Sequence, residues 1–209
     1  MSTSLLIEQI QVGAYRNFSY LVADLSTLHA AIFDPAWEIE SLLSRINGQK
    51  LQLDYIINTH AHLDHIQGNI EIKRRTGAKI VMYKSSLALK DLGVSDGEQI
   101  SISHTVTLKF IHTPGHSPES MCVQVNDRVL ITGDTLFIGE CGRTDLPGGD
   151  ASALFDSFEK LRRLEPSLII YPGHDYGKTP SATLGEELKS NYTLAKRTHD
   201  EFVKFMSTP

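Results

Sequence analysis

The segment Asn58-Thr59-His60-Ala61-His62-Leu63-Asp64-His65 places three imidazoles and a carboxylate within six residues, directly after an apolar run. Neutral imidazoles and a carboxylate are donors that suit iron, zinc or manganese. A strand end followed by the first turn of a helix would hold them on two rigid elements, so that they converge on one point. Three later segments repeat the design: Thr113-Pro114-Gly115-His116, Thr132-Gly133-Asp134 and Tyr171-Pro172-Gly173-His174 each put one potential ligand just past an apolar run. A glycine stands directly before His116, Asp134 and His174, and glycine lets the backbone turn sharply enough to aim the next side chain across the strand ends. In a chain with nine histidines one cluster arises easily by chance. Four ligand-bearing segments in the same local setting predict a metal site.

Such a site requires strands that end together. Residues 5–12 and 18–23 read as strands, and 30–33 as a short buried one. Asp34-Pro35 then interrupts, and Trp37, Ile39, Leu42, Leu43 and Ile46 recur at helical spacing until Asn47-Gly48. The pattern predicts a buried strand over 55–58, a helix over 66–75 ended by Gly77, and a strand over 79–83. The stretch 100–131 is strand-rich, with apolar runs at 106–111, 121–125 and 129–131 and a hairpin turn at Asn126-Asp127. After a loop at 139–149, Asp150 is the expected N-cap of a helix marked by Leu154, Phe155, Phe158, Leu161 and Leu164. A strand over 168–171 and further helix over 186–206 complete the order. Strands grouped in both halves, each followed by helices, predict an α+β fold of two packed sheets with helices on the outer faces.

Composition narrows the class. With 209 residues, 41% of them hydrophobic and 22% charged, the chain reads as globular and as a single domain over 1–209. A net charge of −5, with no basic block, argues against nucleic acid as the main partner. No apolar run approaches the roughly 18–20 residues of a membrane span. The opening residues lack a positive n-region and a small-residue cleavage site, which favours a cytoplasmic protein, although a mature organellar form would look the same. Two cysteines, Cys122 and Cys141, are too few for a disulfide framework and have no metal-binding spacing.

Through His60-Ala61-His62-Leu63-Asp64-His65, His116, Asp134 and His174, the chain resembles the metallo-β-lactamase fold superfamily over nearly its whole length. The resemblance implies an αββα sandwich of two mixed sheets packed face to face, with the metal site at one edge. In the two-metal hydrolases of that superfamily, His60, His62 and His116 would serve one ion, Asp64, His65 and His174 the other, and Asp134 would bridge. Two branches compete, the persulfide dioxygenases and the glyoxalase II-type thioesterases, both acting on glutathione-linked sulfur. Cys141-Gly142-Arg143-Thr144-Asp145, Tyr171-Pro172-Gly173-His174-Asp175-Tyr176-Gly177 and Glu201-Phe202-Val203-Lys204-Phe205-Met206 resemble the dioxygenase branch. So does the short stretch after His174, where a typical glyoxalase II carries a helical glutathione-binding domain.

The dioxygenase branch implies one Fe(II) per chain on His60, His116 and Asp134 as the catalytic set, with His62, Asp64, His65 and His174 orienting ligands or lining the cavity. Its substrates would be O2 and glutathione persulfide, or the persulfide of a related small thiol, and its products sulfite and glutathione. The alternative is a dinuclear zinc thioester hydrolase acting on hydroxyacylglutathione, with all seven residues holding two Zn. Arg143 is the expected anchor for a substrate carboxylate, because a guanidinium matches it bidentately; a salt bridge with Asp145 is its plainer role. Tyr176 is the expected hydrogen-bonding partner of the substrate sulfur, with a buried structural tyrosine as its plainer role. The apolar faces of the C-terminal helices leave a homodimer open.

Overall fold

The structure, a computed structural model, describes residues 4–207. Residues 1–3 and 208–209, which the single-domain and leader readings include, lie outside the described residues. Strands β1 (Leu5–Val12), β2 (Asn17–Asp24) and β3 (His29–Phe33) form an antiparallel meander. Helix α1 (Ile39–Gly48) then carries the chain to β4 (Gln52–Ile57), parallel to β3, and α2 (Leu63–Ile66) and α3 (Asn69–Thr76) carry it to β5 (Lys79–Tyr83). A short parallel strand, β6 (Leu92–Val94), completes a six-stranded sheet in chain order.

The second sheet opens with β7 (Gln99–Ser101), β8 (Thr107–His112), β9 (Met121–Val125) and β10 (Val129–Gly133), all antiparallel. After a small ribbon of β11 (Leu136–Phe137) and β12 (Glu140–Cys141), helix α4 (Ala151–Leu161) returns the chain to β13 (Ile169–Pro172), parallel to β10, and β14 (Ala182–Thr183) lies at the edge. Helix α5 (Leu184–Ser190), a 3₁₀ turn (Tyr192–Leu194) and α6 (His199–Met206) follow. Both sheets are mixed, as the resemblance implies.

Three apolar layers hold the sandwich. Tyr20, Val22, Phe33 and Ile57 from the first sheet meet Leu108, Phe110, Val123 and Ile131 from the second. The alternate residues Leu21, Ala23 and Ile32 face outward under Leu42, Leu43 and Ile46 of α1 and Ile72 of α3. Because β2 is covered on both faces, all eight of its residues are buried and the sequence shows a near-continuous apolar run. Behind the second sheet, Cys122, Leu130 and Ile170 pack under Leu154, Phe158, Leu184 and Phe202. Leu184 of α5 and Phe202 of α6 are thus used inside the chain, with Leu188, Phe205 and Met206 partly buried against the same layer. At the far end of β2, the buried Asp24 accepts hydrogen bonds from Ser26, Ser103 and Thr105, tying the first sheet to the β7–β8 connection.

Several local expectations fail for physical reasons. The helix over 66–75 is two helices broken near Gly68, where a Cβ would lie 2.1 Å from the Pro35 carbonyl oxygen. The helix over 186–206 is interrupted by Asn191, whose side chain caps the 3₁₀ turn, and restarts at a capping box of Thr198 and Glu201. Strands β6, β7 and β14 have three residues or fewer, too few to show an alternating pattern. The loop over 139–149 contains β12. Asp150 caps α4 as expected, accepting from Ser152 and Ala153. No described helix is long and apolar enough to cross a membrane.

Candidate metal centre

Strands β4, β8, β10 and β13 all deliver their C-terminal ends to one edge of the sandwich, where the four ligand-bearing segments meet. The residues after β4 cross that edge into α2, and the turns after β8, β10 and β13 bring His116, Asp134 and His174 to it. All seven candidate donors converge. His60, His62 and His116 form one group, Asp64, His65 and His174 a second, and His60, His65 and Asp134 a third that overlaps both; within each group the donor atoms lie within 4.8 Å of one another. Asp134 sits between the halves, with Oδ2 3.5 Å from His116 Nε2 and 3.3 Å from His174 Nε2, and Oδ1 3.4 Å from His65 Nε2.

The hydrogen bonds on the outer side of each ring fix which nitrogen faces inward. His116 Nδ1–H donates to the Arg143 carbonyl at 2.8 Å and His174 Nδ1–H to the Tyr15 carbonyl at 2.9 Å, since a carbonyl only accepts. His65 Nδ1 lies 3.1 Å from the Asp34 carboxylate. Thr59 gives its hydroxyl proton to Asp34 and so accepts from His60 Nδ1 at 3.1 Å. In neutral rings these contacts leave Nε2 lone pairs pointing into the cluster.

The inward side then crowds ring nitrogens together. His65 and His174 approach through Nε2 at 3.3 Å, and His116 Nε2 lies 2.9 Å from His62 Nδ1. Asp134 Oδ1 is a buried carboxylate oxygen with no hydrogen-bond donor. Such a set of converging imidazoles and carboxylates fits transition-metal cations. Electrostatics divide the rings: burial and the neighbouring imidazoles push His60 and His62 below the ordinary histidine range. For His65 burial opposes the charge, but Asp134, Asp34 and Asp64 outweigh it and push the pKa up to about 9. Burial likewise opposes the Asp134 carboxylate, yet His65, His174 and His60 hold it well below the usual range.

Residues that sequence reading missed support this set from behind. Asp34 does more than interrupt the chain before Pro35: its buried carboxylate accepts from Thr59 N–H at 2.8 Å, from Thr59 Oγ1 at 2.7 Å and from His65. The signal was present, because Asp34 follows an apolar strand just as Asp134 does. Asn17 and Tyr15 also act from outside the motifs, on Asp64 and His174. The three glycines divide. Gly115 and Gly133 take positive φ, 145° and 48°, as turning requires. Gly173 does not; a Cβ there would lie 2.2 Å from Asp134 Oδ1, so it provides clearance instead.

The cluster forms the floor of a cavity of about 870 Å³ with walls that include Trp37, Leu63, Phe137, Leu146 and Tyr176, a size that suits a small organic ligand. Arg143 lies at the rim with its side chain 63% exposed, and Asp145 takes its Nε and Nη2. Tyr176 also lines the cavity and is half exposed, so it is not a buried structural tyrosine. Cys141 is buried in the same wall, where desolvation and Glu140 push its thiol up to about 12, which disfavours a reactive thiolate.

A family model described as the metallo-beta-lactamase superfamily matches residues 12–174. The hydroxyacylglutathione hydrolase of Polaromonas sp. (strain JS666) is 37% identical over 179 residues, 82% of this chain and 67% of that protein. The human mitochondrial persulfide dioxygenase ETHE1 is 34% identical over 206 residues, 97% of this chain and 80% of that protein. The crystal structure of ETHE1 from Myxococcus xanthus superposes with a TM-score of 0.91 at 29% identity, covering 97% of this chain and 90% of that one.

Proposed function

Because this chain belongs to the metallo-beta-lactamase superfamily, we propose that it is a metal-dependent enzyme for glutathione-linked sulfur, and within that class a persulfide dioxygenase. The observation that carries the finer reading is the likeness to the Myxococcus ETHE1 structure over 97% of this chain, which takes in the C-terminal helices as well as the motifs. The reading treats 1–209 as one metallo-β-lactamase-like domain. His60, His116 and Asp134 would hold one ferrous ion, with His62, Asp64, His65 and His174 around them. Bound there, ferrous iron supplies the redox chemistry that couples O2 to sulfur oxidation.

The chain's own residues bind and orient. Apolar walls from Trp37, Phe137 and Leu146 exclude water and suit a sulfane sulfur. Tyr176, on the same wall, directs its hydroxyl to the persulfide. Arg143 offers a substrate carboxylate the Nη1 edge that Asp145 leaves open. Overall, glutathione persulfide, O2 and water give glutathione and sulfurous acid: the outer sulfur gains two oxygens from O2 and one from water, the S–S bond breaks, and the inner sulfur leaves as the thiol. The four electrons lost by the outer sulfur reduce O2.

A second reading, a dinuclear zinc hydrolase of hydroxyacylglutathione, is favoured by the grouping of Asp64, His65 and His174 within 4.8 Å. Protein reconstituted anaerobically with ferrous iron is the test. Oxygen uptake with matching sulfite release on glutathione persulfide supports the dioxygenase. No uptake, with two zinc ions per chain and rapid thioester cleavage, replaces it with the hydrolase.

A further inference from the structure

We propose that Asn17 is a positioning residue for the second half of the centre: it turns the Asp64 carboxylate toward His65 and His174 and so governs whether a second ion is held. The proposal rests on the two-ion arrangement of the hydrolase reading. Asn17 opens β2, far from the histidine motif in sequence, and is 1% exposed. Its Nδ2 donates to the Asp64 carbonyl at 3.0 Å and to Asp64 Oδ2 at 3.1 Å. That same Oδ2 lies 3.5 Å from His174 Nε2 and 3.7 Å from His65 Nε2. The amide orientation follows from the partners, since the reversed amide would set its oxygen against two oxygens.

Two further observations separate this role from plain packing. Asn17 Oδ1 is buried without a donor, and an unpaired buried acceptor destabilises a fold, so an apolar residue of similar size would serve packing better. The backbone here is also tied to the second group: Asn17 forms an isolated bridge with His174, and Phe18 N–H donates to the Gly173 carbonyl at 2.8 Å. Asn17 thus holds Asp64 through its side chain, while its neighbours Phe18 and Arg16, bonded to Gly173 and Asp175, keep it beside His174. Asp64 needs the help, because its side chain is 26% exposed whereas that of His65 is 1% exposed. Among the described residues, Asn17 makes the one hydrogen bond to the Asp64 carboxylate from outside the candidate ligands.

The test is a zinc titration of metal-stripped protein against a chromophoric chelator, read as the number and affinity of bound ions. On the two-ion arrangement wild type binds two. Asn17→Ala and Asn17→Leu are expected to keep the first ion at wild-type affinity and to bind the second about 10- to 100-fold more weakly. The retained first ion reports that the variant is folded, and two variants guard against the loss of one. Unchanged affinity for both ions, or equal weakening of both, overturns the proposal. A wild type that binds one ion overturns the two-ion arrangement and the proposal with it, and the wild-type titration tells these failures apart.

Discussion

The phenol ring of Tyr176 lies flat on the imidazole of His174, with centroids 4.8 Å apart and planes 9° from parallel. A candidate metal ligand and a candidate substrate contact thus form one unit, further fixed by the edge of Phe137 against both rings. Tyr176→Phe preserves the stack and removes only the hydroxyl. On the dioxygenase reading, kcat/KM for glutathione persulfide should fall about tenfold, the worth of one hydrogen bond of about 1.4 kcal/mol, with metal content unchanged. Steady-state kinetics beside elemental analysis checks this; a variant as fast as wild type would show that the hydroxyl does not reach the substrate.

Asp34 gathers three donors in a buried site. Asp34→Ala should lower unfolding free energy by about 3 kcal/mol, because buried donors lose their acceptor, and should weaken metal binding about 10- to 100-fold by freeing His65. Urea unfolding and chelator competition measure the two effects. A loss of stability below about 1 kcal/mol would mean that water replaces the carboxylate and that Asp34 is not a hub.

Asp24 predicts an acid-sensitive clamp. Burial works against its charge, but the hydroxyls of Ser103, Ser26 and Thr105 and the Ser26 N–H outweigh it and hold the folded pKa well below the usual carboxylate range. A depressed folded pKa contributes stability that is complete above the unfolded value, about 3.9, and is lost as pH falls toward the folded one. Wild type should therefore exceed Asp24→Asn in stability by a constant margin from neutral pH down to about 5 and by a shrinking margin below about 4. Denaturation curves at several pH values would reveal it, and a margin that grows in acid would contradict the sign.

Removal of metal should destabilise the whole chain, since the donors come from the ends of four strands in both sheets. An ion present at about 100 times its dissociation constant adds about 2.7 kcal/mol, so chelation should lower the melting temperature by about 5–10 °C. Differential scanning calorimetry with and without chelator measures it. An unchanged midpoint would show that the cluster is not loaded under those conditions.

Much of this protein was legible from local sequence. Donors that follow apolar runs, as at His60, His116, Asp134 and His174, are set by strand ends, and a strand end is a local property of the chain. The paired sheets and outer helices followed from periodicity in the same way. Short strands such as β6 and β14 left no pattern, because their pairing comes from neighbours rather than from their own residues.

Tertiary structure alone decided the support of the site. Asp34 and Asn17 lie 25 and 47 positions from Thr59 and Asp64, the residues they hold, and nothing in the intervening residues encodes those contacts. Gly173 is small because Asp134, in the turn after β10, occupies the space its side chain would need. Local propensity places each donor at the edge of its own strand. How closely the donors approach, and which way each lone pair faces, depends on packing between segments distant in the chain, and only the folded sandwich brings those segments into contact.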